Sequence, residues 1–352
     1  MKIKKKIGIL IDNITNSGGT ERVASILSSG LVDNGYDVQI FSLVDGNPFF
    51  PMHESIAYWK GKNSNRVAKL VEISRFLKNN KFKSVIIISM GKLSFQSLPI
   101  LKLLARNVKL ISCDHVSIES FKNPLRILKC LSYSLADEVC VLTEYDKNYL
   151  TSKYKVRNVN VIRNISPYQT TFFDENEILK KDKVVIGVGR LTYQKNFKRL
   201  IDIWSNTETE DWVLQIIGTG EEFDDLKNYI TSINLQDSVK LIGSNNDMTP
   251  FYAKASILCM TSRYEGLPMV LIECKNFGVP AISFDCKTGP QELIDGDGFL
   301  IPYDDDINFS EKLKVLITDE KVRLNLSQRS FLNAQNYTSE KIVGKWVNLI
   351  EK

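Results

Sequence analysis

The run EGLPMVLIE, Glu265 to Glu273, follows a strand-length apolar segment, ASILCM, at 255–260. A short β-rich run that turns into an amphipathic stretch is one unit of a strand–helix repeat. Such repeats predict a parallel sheet covered by helices. Pro268 suits the first helical position, and amides near Gly266 and Leu267, with a helix dipole behind them, make an anion site. Glu273 lies about a turn and a half further along, where a carboxylate can accept hydrogen bonds from a vicinal diol such as a ribose. Glu265 stands ahead of the helix, level with whatever the phosphate carries. One carboxylate on each side of a phosphate site fits a sugar–phosphate–nucleoside ligand, although two unconnected acids would share the same spacing.

The same alternation extends in both directions. Upstream lie IGILI (7–11), VQIFSL (38–43), SVIIIS (84–89), VKLISC (108–113), EVCVL (138–142) and NVNVI (158–162), with amphipathic segments at 21–34, 66–80, 94–106 and 124–135. The series pauses over the polar stretch Ser166–Lys183 and resumes with VVIGVG (184–189), VLQIIG (213–218), VKLIG (239–243), ASILCM and PAISF (280–284). Helical segments at 195–205, 221–233, 268–278 and 309–317 separate or follow these runs. The pattern predicts an α/β chain of two Rossmann-like domains, 1–170 and 171–335, facing across a cleft. A final helix at 336–352 has Ile342, Val343, Trp346, Val347 and Ile350 at helical spacing and must dock somewhere. In such sheets ligands bind in the loops after the strands.

At 352 residues the chain has room for two cores. Its net charge of +5 hides an asymmetry. Residues 1–170 hold 25 Lys and Arg against 13 Asp and Glu, and residues 171–352 hold 21 against 28. A basic half calls for an anionic partner (nucleic acid, phospholipid headgroup or phosphorylated substrate) or is simply a solvated basic face. Six cysteines form no CxxC pair and the two histidines are far apart, so no zinc site of ordinary spacing is expected. Cysteines in apolar runs act as small core residues and favour a reducing compartment. The apolar run IGILI ends at Asp12, far short of an export segment or a membrane span. The chain is therefore expected to be cytoplasmic or peripheral to a membrane.

Two further loops could carry chemistry. Ser17-Gly18-Gly19-Thr20-Glu21-Arg22 follows the first strand and opens a helix, so its backbone can approach an anion or be a plain turn. It lacks the GxGxxG pattern with an acidic partner that a dinucleotide site needs. Gly187-Val188-Gly189-Arg190-Leu191, with Lys195, follows strand 184–189. Arg190 offers a planar fork and Lys195 a point charge to phosphate oxygens.

Glu265 and Glu273 form an E-x7-E motif. Together with GRL…K at 189–195, GTGEE at 218–222, LIG at 241–243 and SFDCKTGPQELI at 283–294, they make the chain resemble the family 4 glycosyltransferases, the retaining GT-B group. The likeness runs over nearly the whole chain and is densest from 184 to 302. It implies a GT-B fold whose terminal helix crosses back to the first domain. It also implies a nucleotide-sugar donor, UDP-sugar by the family's habit. Arg190 and Lys195 would hold the diphosphate, Glu273 the ribose, and Glu265 the transferred sugar with the backbone at Gly266 and Leu267. Gly19 would approach from the first domain, His115 in CDHVS would touch the donor sugar, and segment 241–246, with Gly243, would lie near the base. Glu265, His115, Arg190 and Lys195 would thus carry catalysis. His53 matches nothing and is expected to be structural.

No acidic pair reads as a metal site, so neither metal nor other cofactor is expected; the two cations would neutralise the leaving diphosphate. The leaving phosphate would accept the acceptor's proton on the same sugar face, and domain closure would exclude water. The acceptor is expected to be a polyprenyl-diphosphate-linked saccharide at the inner face of the cell membrane, as in capsule or O-antigen synthesis. Lys4–Lys6, Lys78, Lys81, Lys83, Lys102, Arg106, Lys109, Arg126 and Lys129 supply the basic half. Segment Leu98–Leu110 could rest on an anionic membrane or be an ordinary sheet-covering helix. A nucleotide-sugar epimerase would share the donor site. A nucleic-acid-binding protein would leave E-x7-E unexplained, and no stacking platform of aromatics supports one.

Overall fold

The computed structural model describes residues 4–169 and 173–352. The chain forms two compact units: one runs up to Pro167 and takes up Ser339–Lys352, and the other is Tyr168–Thr338. The division read at 170–171 lies outside the described residues.

In the first unit, strands β1 (Lys6–Asn13), β2 (Asp37–Val44), β3 (Ala57–Tyr58), β4 (Ser84–Ser89), β5 (Lys109–Asp114), β6 (Glu138–Val141) and β7 (Val159–Val161) form one sheet. Its order is β3-β2-β1-β4-β5-β6-β7, and every pairing is parallel. All six residues of β4, SVIIIS, are buried. Burial on both faces is why the central strands read as unbroken apolar runs rather than alternating ones. Helices α1 (Gly19–Asp33), α2 (Arg66–Asn79), α3 (Leu93–Leu104), α4 (Asn123–Ser132) and α5 (Glu144–Tyr154) cover the sheet.

In the second unit, β8 (Val184–Val188), β9 (Val213–Ile217), β10 (Val239–Gly243), β11 (Ile257–Met260), β12 (Ala281–Asp285) and β13 (Gly298–Pro302) are ordered β10-β9-β8-β11-β12-β13, again all parallel. Helices α6 (Glu175–Leu179), α7 (Phe197–Ser205), α8 (Phe223–Ser232), α9 (Thr249–Lys254), α10 (Met269–Lys275), α11 (Pro290–Leu293), α12 (Asp306–Thr318) and α13 (Glu320–Ala334) complete it. Both sheets have the doubly wound order in which the winding reverses once, between β1 and β4 and between β8 and β11. The crevice at the carboxyl ends of those strand pairs is where such sheets hold ligands.

The terminal helix α14 (Ser339–Glu351) packs on α1 in the first unit. Ile342, Val343, Trp346, Leu349 and Ile350 join the core that β1 and α1 build. The approach is close enough that a Cβ on Gly30 would meet Val343 Cγ2 at 2.6 Å. Glu351 then receives Lys83 Nζ at 2.7 Å, Tyr36 Oη at 2.8 Å and Lys5 Nζ. Those donors hold its carboxyl down to about 2.

Several expectations shift here. Of the two readings of 98–110, the sheet-covering helix with a solvated edge is the one seen: Leu98, Leu101, Ala105, Val108 and Leu110 are buried, while Lys102, Leu103 and Arg106 are exposed. Lys129 is not a surface cation but a buried one, paired with Asp114. His53 is exposed, and its Nδ1 accepts the Ser55 amide at 3.2 Å. All six cysteines are free and buried. No helix among the described residues is long and apolar enough to cross a membrane.

Candidate active site

The loops leaving β8, β9 and β10 are knitted together by their backbones. Gly189 N–H donates to Ile217 O at 3.1 Å, Leu191 N–H to Thr219 O at 2.9 Å, Glu222 N–H to Leu191 O at 3.0 Å, and Gly218 N–H to Gly243 O at 2.8 Å. A Cβ on Gly218, where φ is +150°, would stand 1.9 Å from the Gly189 carbonyl oxygen. Only glycine permits that approach. The motifs GRL, GTGEE and LIG, far apart in sequence, are thus one folded feature at the carboxyl edge of the sheet.

Arg190 projects from this edge, exposed and without an ion pair among the described residues. Lys195 lies on the same loop, and its Nζ meets Glu265 Oε1 at 2.6 Å, both side chains being largely buried. The loops after β8 and β11, the strands of the winding reversal, therefore bring the first carboxylate of E-x7-E onto the second cation of GRL…K. Asn196, at φ +54°, turns the chain into α7. Arg263 clamps that turn, donating from Nη2 to Asn196 Oδ1 at 2.8 Å and from Nε to Tyr193 O at 3.0 Å while its guanidinium lies over the Tyr193 ring. The sequence reading passed over Arg263; its one signal was a cation two residues ahead of Glu265.

The segment after β12 buttresses the same place. Thr288, at φ +68°, donates its hydroxyl to the Glu265 carbonyl. Beside it, a Cβ on Gly289 (φ +92°) would meet Gly266 O at 2.6 Å. Leu267 is buried and Gly266 partly exposed. Pro268 caps α10 rather than opening it, and the helix has seven residues instead of the eleven read from 268 to 278. The anion-binding capacity there rests on local amides more than on a long dipole. Glu273 is buried within α10, and its Oε2 accepts Tyr252 Oη at 2.8 Å. The Tyr252 ring in turn stacks on Phe277 at 5.5 Å. Gly243, at φ +78°, is partly exposed at the end of β10.

The first unit carries the other two candidates. Gly19 opens α1 after β1, with no atom within 4 Å of where its Cβ would stand. Glu21 in the same first turn accepts Thr20 Oγ1 at 2.8 Å, so this helix start already has a carboxylate beside its amides. His115 leaves β5 with its amide donating to Ser89 O at 3.0 Å and Nε2 lying 3.3 Å from Cys113 Sγ. Burial pushes its imidazole down to about 4, against the opposing pull of Asp114 and Asn164. The ring is neutral near pH 7.

This displacement sets a pH dependence. Between the ordinary value near 6.5 and about 4 the unfolded chain binds a proton that the folded chain refuses. Stability from the neutral ring is therefore full above that window and lost as pH falls through it. His115→Gln should lose less stability than the wild type between pH 6.5 and 4 in urea titrations. Identical acid limbs would contradict a ring held neutral.

Among the described residues no group of three or more His, Cys, Asp or Glu is placed to hold a metal ion. Asp297, which with Asp295 has the spacing of an acidic pair, is committed to Lys275, Asn333 Nδ2 and the Asp295 amide.

The chain thus has two Rossmann-like units in this winding, and in the second the first carboxylate of E-x7-E is set against a cationic loop at the strand ends. The family description "Glycosyl transferases group 1" matches residues 169–332, and "Glycosyltransferase Family 4" matches residues 17–165. The chain is 46% identical to the amylovoran biosynthesis glycosyltransferase AmsD of Erwinia amylovora, over 98% of this chain and 99% of that one. It is 28% identical, over 98% of each chain, to the GalNAc-alpha-(1->4)-GalNAc-alpha-(1->3)-diNAcBac-PP-undecaprenol alpha-1,4-N-acetyl-D-galactosaminyltransferase of Campylobacter jejuni. The solved structure of HepE from Anabaena in complex with UDP superimposes with a TM-score of 0.79 at 18% identity, covering 98% of this chain and 99% of that one. The chain belongs to the family 4 glycosyltransferases and has their GT-B fold.

Proposed function

We propose that this glycosyltransferase moves a hexose or N-acetylhexosamine from a nucleoside diphosphate sugar to a polyprenyl-diphosphate-linked saccharide, with retention and without a metal. The reaction would serve capsule, O-antigen or related surface-polysaccharide synthesis at the inner face of the cell membrane. The observation that carries the donor half is the knitted strand-end loop presenting exposed Arg190 beside the Lys195–Glu265 pair. Two cations and the amides at Gly266 and Leu267 can take the charge of a leaving diphosphate. Lys195 then trades Glu265 for phosphate, which frees the Glu265 carboxylate for sugar hydroxyls. Glu273, oriented by Tyr252, is the ribose acceptor in this reading. UDP is favoured because HepE carries it, and a lipid-linked acceptor because the Campylobacter relative is named for one.

The leaving phosphate oxygen accepts the acceptor hydroxyl's proton on the face from which it departs. The bond from anomeric carbon to phosphate oxygen breaks as the bond to the acceptor oxygen forms. A neutral His115 ring would offer a sugar hydroxyl a hydrogen bond without adding a charge.

The test is a donor panel. At a hundredfold excess over its Kd, the true donor should stabilise the folded chain by about 2.7 kcal/mol, read as a rise in melting temperature. Nucleotide should be released only when lipid-linked acceptor is also present. Interconversion of the donor without acceptor would favour an epimerase, a reading the relatives, named as transferases, do not support.

A further inference from the structure

Helix α4 presents an apolar face to solvent. Ile127, Leu128 and Leu131 are 48%, 52% and 66% exposed, while Lys129 and Cys130 on the other side are buried. The three exposed residues stand at i, i+1 and i+4, on one side of the helix. Helix α3 packs beside α4, and its Leu103 is 63% exposed. Large apolar side chains gathered on adjoining helices differ from the scattered single ones of an ordinary surface.

The segments that carry this face are basic. Residues 120–136 contain no Asp or Glu, and neither do residues 73–113, which carry eight Lys and Arg. Lys92, Lys102, Arg106 and Lys122 are exposed. The nearest acid in the chain after α4, Asp137, pairs with Lys102 at 2.8 Å. An apolar helix face flanked by segments richer in cations than in acids complements an anionic bilayer. Apolar side chains enter the acyl boundary while cations stay among the headgroups. A second copy of the chain fits less well, because a two-fold contact would set like charges against each other.

We propose that the outer face of α4, with Leu103 of α3, is the surface by which this enzyme sits on anionic lipid. The proposal rests on the reading of a lipid-linked acceptor and names the part of the chain that reaches it. α4 follows the His115 loop directly in sequence, so seating α4 sets the height of that loop above the bilayer.

The experiment is co-sedimentation of the full chain with vesicles of phosphatidylcholine alone and with about a third phosphatidylglycerol. The wild type should bind the mixed vesicles at least tenfold better. The triple variant Ile127→Ser, Leu128→Ser, Leu131→Ser should lose tenfold or more of that binding yet keep its melting temperature and its transfer to detergent-dispersed acceptor. In a second variant, Leu128→Trp, fluorescence should shift to the blue and be quenched by brominated lipid. Binding unchanged in the triple variant, or a Leu128→Trp signal that lipid does not quench, overturns the proposal. So does a wild-type dimer that becomes monomeric in the triple variant, since a second copy would then cover the face. Loss of transfer to dispersed acceptor in the wild type, with vesicle binding intact, counts against the proposed function and leaves the lipid surface standing.

Discussion

Arg190→Ala should lower turnover by about a hundredfold or more and leave the melting temperature where it was. The side chain is exposed and pairs with nothing described, so its removal orphans no partner. Its charge matters only when a diphosphate develops negative charge beside it. Lys195→Ala should cost a similar factor in turnover but behave differently in stability. Glu265 is only 7% exposed, and removing its counter-ion leaves a largely buried carboxylate. Breaking one partner of a buried pair costs about 3–5 kcal/mol. The double variant Lys195→Ala, Glu265→Gln should recover most of that stability and none of the turnover. Single-turnover rates and urea unfolding of the three variants separate the roles. Wild-type rates in both single alanine variants would sink the diphosphate assignment.

The second large effect lies in the first unit. Lys129 Nζ, fully buried, meets Asp114 Oδ1 at 2.7 Å and donates to Gly91 O at 2.8 Å. Tyr133 Oη donates to the other oxygen of Asp114, and the Phe121 ring lies 4.5 Å from the ammonium. Lys129→Met fills similar volume but leaves the Asp114 carboxylate buried without its cation. The expected loss is about 3–5 kcal/mol in urea unfolding. Adding Asp114→Asn should return part of it, as the two sites share one network. Asp114 immediately precedes His115, so turnover should also fall in Lys129→Met and recover with stability in the double variant. An unchanged unfolding midpoint in Lys129→Met would refute the buried pair.

The parallel sheets were legible because their central strands, such as SVIIIS, are buried on both faces and read as unbroken apolar runs. Eleven of the thirteen strands among the described residues have a counterpart among the runs read from sequence. Those missed were β3, two exposed residues at an edge, and β13, GFLIP, which is only partly buried. Helices α5 and α13 were missed for a related reason: their apolar periodicity is weak and much of each is polar and exposed. Length and apolar pattern together set what could be read.

For the candidate site, residue types and spacing were enough to pick out Arg190, Lys195, Glu265 and Glu273. Local sequence also carried the turn chemistry, since glycine at 189, 218 and 289 is favoured by positive φ, and at 218 and 289 also by backbone packed against backbone. Spacing along the chain could not say that Lys195 reaches Glu265, seventy residues away. Nor could it say that Arg263 clamps the turn between them or that Tyr252 holds Glu273. It also counted Lys129 as surface charge, because a lysine reads the same whether it faces water or a buried aspartate, and it left 98–110 open between a membrane stretch and a sheet-covering helix. Pattern along a chain reports which residues must leave water. Which buried charge meets which, and which apolar face stays uncovered, depends on how strands far apart in sequence are ordered in the sheet. That order brought Glu265 to Lys195, buried Lys129 and left α4 bare.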